Sequence, residues 1–142
     1  MKNIILCDID GTVANNDHRQ HFLEGKKDWD GFFSELSNDI PIYPIIEKIK
    51  KHQSEGKDIV FLTGRPERYR VETESWLKKY FNFKFRLLMR KDNDLRNKVI
   101  AKEDLLKENS IQSGSINLIY ENDEDLINYW TKKEVSVHKV KN

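Results

Sequence analysis

Ile4-Ile5-Leu6-Cys7-Asp8-Ile9-Asp10-Gly11-Thr12-Val13 begins as a short apolar run and stops at two carboxylates and a glycine. The run is too brief for a helix and lacks polar alternation, which is the pattern of a strand buried on both faces of a parallel sheet. Later segments have the same character: Asp58-Ile59-Val60-Phe61-Leu62, Phe85-Arg86-Leu87-Leu88-Met89, Ile116-Asn117-Leu118-Ile119-Tyr120 and Val135-Ser136-Val137-His138-Lys139-Val140. Helical spacing fills the intervals. Ile42, Ile45, Ile46 and Ile49 predict a helix with Pro44 near its start and an end near Glu55-Gly56. A second helix is expected from Pro66-Glu67, with Tyr69, Thr73, Trp76, Leu77 and Tyr80 on one side. A third spans about Lys98 to Lys107 and turns Val99, Leu105 and Leu106 inward; a fourth, about Asp125 to Lys132, carries Leu126, Ile127 and Trp130. Strands alternating with helices imply right-handed crossovers and an α/β, three-layer, Rossmann-like parallel sheet. Ligands of such sheets bind beyond the carboxyl ends of the strands.

Composition narrows the function classes. The 142 residues suit one domain, and no repeat, low-complexity stretch or linker divides them. Twenty-five Lys and Arg stand against twenty-four Asp and Glu, so bulk charge selects no partner. No apolar run approaches the ~20 residues of a membrane span, and the amino terminus lacks a signal peptide's pattern. The single cysteine, Cys7, can form neither an intrachain disulfide nor a thiolate zinc cage, which favours a reducing, cytoplasmic setting. Neither a G-x-x-x-x-G-K-[ST] nor a G-x-G-x-x-G pattern is present, which argues against a P-loop kinase or a dinucleotide binder. His18, His21, His52 and His138 form no zinc pattern.

The chemistry-bearing residues follow the expected strands. Asp8 and Asp10 share a face of an extended segment, because the side-chain period is two. Paired carboxylates repel, and a hard divalent cation such as Mg2+ relieves them; an Asx turn is the plainer alternative. Gly11 allows a sharp turn whose N–H groups can face an anion. Thr63 offers a hydroxyl to a phosphoryl oxygen or caps the next helix. Gly64 lets the backbone approach a ligand closely, and Arg65 can fork onto a phosphate. Lys102 is either a solvated helix lysine or the cation that holds phosphate near the carboxylates. Asp94 and Arg96 precede its helix, where an acid is favoured electrostatically. Glu121, Asn122 and Asp123 either complete a metal site opposite Asp8 or cap the following helix. Together these groups describe phosphoryl transfer to a carboxylate nucleophile assisted by a metal.

In these motifs the chain resembles the haloacid dehalogenase-like (HAD) phosphatase superfamily: Asp8 to Val13 as the first motif, Thr63-Gly64-Arg65 as the second, Lys102 as the third and Glu121-Asn122-Asp123 as the fourth. It is similar over nearly its whole length to the phosphatase domain of phage-type polynucleotide kinase/phosphatase. That likeness rests on Arg19, Thr63 to Arg65, Met89-Arg90 followed by Asp94, Arg96 and Lys102, and the segment Leu118 to Trp130. These 142 residues hold no P-loop, so no counterpart of the kinase half is expected among them.

The resemblance implies a HAD fold of about five strands in the order 3-2-1-4-5, in a single domain 1–142 with a minimal helical cap or rim at about 14–40. It implies Asp8 as nucleophile, forming an aspartyl-phosphate, and Asp10 as general acid and base with its backbone carbonyl on Mg2+. Thr63 and Lys102 would hold the phosphate oxygens. Glu121, Asn122 and Asp123 stand where the family usually carries an acidic pair of metal ligands. Gly11, Thr12, Arg19, Gly64, Arg65, Arg90, Asp94 and Arg96 would contact substrate. Lys98 stands where the nearest relatives often have an acid.

The expected substrate is a nucleic-acid 3′-phosphate end or a nucleotide, with no membrane or protein partner indicated. A phosphatase of small phosphorylated metabolites and a non-catalytic phosphate-binding module, the latter motivated by Asn122, are the alternatives. An open cleft would let Arg19 and Arg65 grip a flanking phosphate. Trp29, Phe32 and Phe33 would either stack on a base or form core. Asp8→Asn is expected to abolish metal-dependent phosphate release while leaving the circular dichroism spectrum unchanged; turnover like that of the wild type would refute the covalent route.

Overall fold

The computed structural model describes residues 2–141. Its regular elements, in chain order, are β1 (Ile4–Cys7), β2 (Ala14–Asn15), α1 (Trp29–Ser34), β3 (Ile40–Pro41), α2 (Tyr43–Ser54), β4 (Asp58–Pro66), α3 (Arg70–Tyr80), β5 (Arg86–Arg90), α4 (Lys98–Glu108), β6 (Ile116–Glu121), α5 (Glu124–Lys132) and β7 (Val137–Lys139). The main sheet runs β5-β4-β1-β6-β7 with every neighbour parallel. That is the 3-2-1-4-5 order expected of the five long apolar segments.

Each strand divides its side chains between two cores, as the two-residue period requires. Ile5, Cys7, Ile59, Phe61, Leu87 and Met89 pack beneath α2 and α3, against Ile45, Ile46, Ile49, Trp76 and Leu77. Leu6, Val60, Leu62, Leu88 and Ile119 face the other way, onto Leu105 and Leu106 of α4 and Leu126 and Trp130 of α5. Helices therefore cover both faces, which is why the strands read as nearly unbroken apolar runs.

Two boundaries differ from the sequence reading. β4 continues past Leu62 to Pro66, and Pro66 pairs with Arg90 after a register shift. Proline bars its predecessor from the helical region, so Arg65 stays extended and the strand persists. A 3-10 turn at Glu67–Tyr69 follows, and α3 starts only at Arg70. The second difference lies in residues 14–41. A two-residue antiparallel ladder, Ala14 with Pro41 and Asn15 with Ile40, closes the base of this insertion. Above it, a 3-10 helix (Asp17–Leu23), α1 and a second 3-10 turn (Leu36–Asn38) enclose a small core of Phe32, Phe33 and Leu36. Phe32 and Phe33 are thus core residues, while Trp29 remains half exposed.

Register fixes which loops meet. Cys7 lies opposite Phe61 on one side and Tyr120 on the other. The residues that follow, Asp8, Leu62-Thr63 and Glu121, therefore emerge at one edge of the sheet. No described helix is long and apolar enough to cross a membrane. Ile46 is fully buried between α2 and the sheet; Ile46→Ala is expected to cost about 2–5 kcal/mol in urea denaturation, through lost transfer energy and an unfilled cavity.

Candidate active site

Past β1 the backbone folds back on itself. The amides of Thr12, Val13 and Ala14 all point to the carbonyl of Ile9, at 3.1, 3.0 and 3.0 Å. This turn places Gly11 at φ +79°, a left-handed conformation that favours glycine. It also aims the Thr12 hydroxyl at Asp8, 3.2 Å from Oδ2, and leaves it 3.4 Å from the Asn122 side-chain oxygen. From the opposite layer, α4 delivers a buried ammonium. Asn97 caps that helix by accepting from the Val99 amide, and Lys102, on its inner face, donates to Asp8 Oδ1 at 3.0 Å and to Glu121 Oε1 at 3.4 Å. The other oxygen of Glu121 accepts from the amides of Asn122 and Asp123, at 3.1 and 3.2 Å.

This corner holds two carboxylates and one ammonium, all buried, so it carries one uncompensated negative charge when all three are ionised. Burial and then the neighbouring Glu121 push the Asp8 carboxyl up to about 8, with Lys102 only partly offsetting them. Burial alone would lower the Lys102 ammonium, yet Asp8 and Glu121 hold it above the usual lysine range. A hard cation fits this imbalance. The oxygens shown together here are the carboxylates of Asp8 and Glu121, the Thr12 hydroxyl and the side-chain oxygen of Asn122, hard donors of the kind Mg2+ takes together with water. Among the described residues, no cluster of three His, Cys, Asp or Glu side chains forms a metal cage, so a mixed donor set is the one this corner offers. Thr63 is buried at the same edge. Its oxygen accepts from the Arg65 amide at 3.1 Å, which leaves the hydroxyl hydrogen for a ligand oxygen.

Asp10 faces a different environment. Arg65 donates to both of its oxygens, at 2.9 and 3.2 Å, and Arg19 donates to Oδ1 at 2.6 Å. Burial would raise this carboxyl, but the charges and hydrogen bonds of Arg65 and Arg19 hold it below its ordinary value. Both guanidiniums are fully buried and are also paired with Asp39. This corrects the sequence reading: Arg19 and Arg65 do not stand on an open rim to grip a phosphate, because their donors are turned inward onto carboxylates. Asp39, the second of those carboxylates, was not singled out from the sequence, and no local motif marks it.

Other candidates lie farther out. Asp123 caps α5, accepting from the amides of Asp125 and Leu126, and receives Lys98 Nζ at 2.6 Å. Its carboxylate serves the helix terminus, whereas the Asn122 oxygen lies 3.4 Å from the Thr12 hydroxyl that bonds Asp8. Arg90 donates to the carbonyls of Asp94 and Arg96 at 2.9 and 3.0 Å, bracing the loop before α4. Arg96 pairs with Asp94 and Asp104 and holds Asp94 well below the carboxylate range through its hydrogen bonds. A cleft of about 430 Å³ runs from Gly64 to this loop, between Trp29, Arg68 and Arg90. A slightly larger cavity, between α4 and α5, touches none of these groups.

Comparison with known families matches residues 2–142 to the polynucleotide kinase PNKP phosphatase domain. Among solved structures, the chain is similar to one in a Pnkp1/Rnl/Hen1 complex, with 25% identity, a TM-score of 0.79 and coverage of 99% of this chain and 46% of that one. It is likewise similar to one in the Pnkp1/Rnl/Hen1 RNA repair complex, with 27% identity, a TM-score of 0.79 and coverage of 96% and 42%. It therefore spans less than half the length of either. The class C acid phosphatase from Bacillus anthracis with tungstate bound, 21% identical, shares the fold with a TM-score of 0.64 and coverage of 94% and 62%. No curated protein matches.

The division of labour between Asn122 and Asp123 is measurable. Asn122→Ala is expected to weaken magnesium binding in calorimetry with little effect on stability. Asp123→Ala is expected to lower stability by about 0.5–2 kcal/mol through the lost cap while leaving magnesium affinity nearly unchanged.

Proposed function

The chain belongs to the polynucleotide kinase PNKP phosphatase domain family of the HAD superfamily, and on that premise we propose that it is a Mg2+-dependent phosphomonoesterase working through an aspartyl-phosphate on Asp8, with nucleic-acid 3′-phosphate ends or nucleotides as substrates. The observation that carries this reading is the buried contact of Lys102 with both Asp8 and Glu121. It joins groups from the ends of β1 and β6 and from α4 into one corner, where two carboxylates, an ammonium and the Thr12 hydroxyl meet.

Asp8, Asn122 and the Asp10 carbonyl would hold the cation, which when bound supplies positive charge to the phosphoryl group and to the nucleophilic carboxylate. Lys102 and Thr63 hold the phosphoryl oxygens, a preorganised arrangement of charge and donors of the kind that commonly removes several kcal/mol from a barrier. An oxygen of the ionised Asp8 carboxylate attacks phosphorus as the bond to the leaving oxygen breaks, and the protonated form of Asp10, which Arg65 and Arg19 keep in the minority, gives that oxygen its proton. Asp10 then takes a proton from water, which attacks the aspartyl-phosphate, releases inorganic phosphate and regenerates the Asp8 carboxylate. Thr12 holds one oxygen of Asp8 and Lys102 the other, which fixes the orientation of the carboxylate.

The nucleic-acid reading draws support from the similarity to chains of an RNA repair complex and from the shape of the cleft. The cleft lies beside Gly64 and is walled by the half-exposed Trp29. The 14–41 insertion, acting as a minimal cap, is too small to enclose a metabolite and leaves room for a polymer end. A panel of a 3′-phosphorylated oligonucleotide, its 5′-phosphorylated counterpart, free nucleotides and sugar phosphates tests this. Inorganic phosphate is expected to be released fastest from the 3′ end and to stop on chelation. Preference for sugar phosphates would replace the substrate reading, and binding without release under every divalent metal would identify a phosphate-binding module.

A further inference from the structure

Asp10, Arg19, Asp39 and Arg65 form a closed ring of alternating charge. Arg19 reaches Asp10 Oδ1 at 2.6 Å and grips Asp39 with Nε and Nη2, both at 2.8 Å. Arg65 closes the circuit, 3.0 Å from Asp39 Oδ2 and bidentate on Asp10. The side chains of Arg19, Arg65 and Asp39 have no exposed surface, and that of Asp10 is 25% exposed. The ring therefore has one open corner, and Asp10 occupies it.

We infer that Asp39 is the positioning residue for Asp10, a role that rests on the phosphatase reading of this site. Two guanidiniums converging on one aspartate would repel each other, and the inward-facing Arg19 Nε and Nη2 and Arg65 Nη2 would lose an acceptor. Asp39 supplies the second counter-charge and takes up those inward donors, so that each arginine keeps a fixed edge for Asp10. Asp39 is itself anchored from several directions. Its carbonyl accepts from the Trp76 indole at 2.9 Å, tying it to α3, and His18 Nε2 lies 2.8 Å from its Oδ1. Arg19 is braced further by the ring and carbonyl of Phe32, and Arg65 by the Thr73 hydroxyl. Every member except Asp10 is held by groups outside the ring. The direction of the Asp10 carboxyl is thus set by the frame behind it, and its proton is delivered along a fixed line to the leaving oxygen.

The test compares kcat/KM, which reports the first irreversible step, for a 3′-phosphorylated oligonucleotide and for p-nitrophenyl phosphate, whose leaving group departs without a proton. Asp39→Asn, nearly isosteric, is expected to lower the oligonucleotide value about tenfold more than the p-nitrophenyl value. In an Asp10→Asn background, the same change is expected to cost little more on either substrate, since a residue acting through Asp10 has nothing left to position. Asp39→Glu keeps the charge but displaces it, and should show the same split. Equal losses on both substrates, or additive losses in the Asp10→Asn background, overturn the role. So does failure of both Asp39 variants to fold, which would make Asp39 a purely structural residue. Absence of phosphate release by the wild type from either substrate would instead bring down the phosphatase reading, and this role with it.

Discussion

The buried ammonium of Lys102 is the contact on which the rest of the site depends. Removing an ammonium from water costs several kcal/mol unless charges and hydrogen bonds replace the lost hydration. Here the replacement comes from Asp8 at the end of β1 and Glu121 at the end of β6, two adjacent parallel strands. Lys102 reaches them from α4, which packs on the sheet through Leu105 and Leu106. The strand register, the capping of α4 by Asn97 and the packing of that helix must therefore all agree before the three charges can meet. Fold and site are the same constraint seen from two sides.

Two aspartates separated by one residue acquire opposite electrostatic characters from this frame. Asp8 has one ammonium to share with a second carboxylate and is pushed up, which leaves the corner short of positive charge. Asp10 has two guanidiniums and is pulled down. These directions oppose the proposed roles of nucleophile and acid, so a cation beside Asp8 would have to favour its carboxylate before it could attack. In this chain the separation is geometric before it is electrostatic: β1 ends at Cys7, and the turn through Gly11 sends the Asp10 side chain toward the insertion while Asp8 stays with the sheet.

Much of this was legible in the sequence. Ile4-Ile5-Leu6-Cys7 and its later counterparts read as strands because parallel strands buried on both faces leave a nearly unbroken apolar signature. The isoleucines at 42, 45, 46 and 49 marked α2 to within a residue of its observed end. The β2–β3 ladder was not legible, since two residues carry no periodicity. The end of β4 was misplaced because Thr63-Gly64-Arg65 looks like a loop, and only the constraint from Pro66 keeps it extended. Arg19 and Arg65 illustrate the harder limit. An isolated arginine in a polar segment reads as a surface group or a phosphate ligand, and its burial depends on an acid 20 or 26 positions away. Asp39 stands in an ordinary stretch, Ser37-Asn38-Asp39-Ile40, and its importance exists only in three dimensions.

The position of Asp39 in the chain bears on how the insertion and the catalytic corner are joined. It follows the last 3-10 turn of the insertion and immediately precedes β3, so it sits at the point where the chain returns to the main fold. Arg19 lies in the insertion's first 3-10 helix, near its other end. The ion-pair ring thus ties both ends of residues 14–41 to Arg65 of β4, and the Trp76 hydrogen bond ties the same point to α3. An insertion with so small a core, built on Phe32, Phe33 and Leu36, is held to the main fold by these polar ties as well as by its buried area. The same ties that hold the insertion over the site also hold Asp10, so movement of one entails movement of the other.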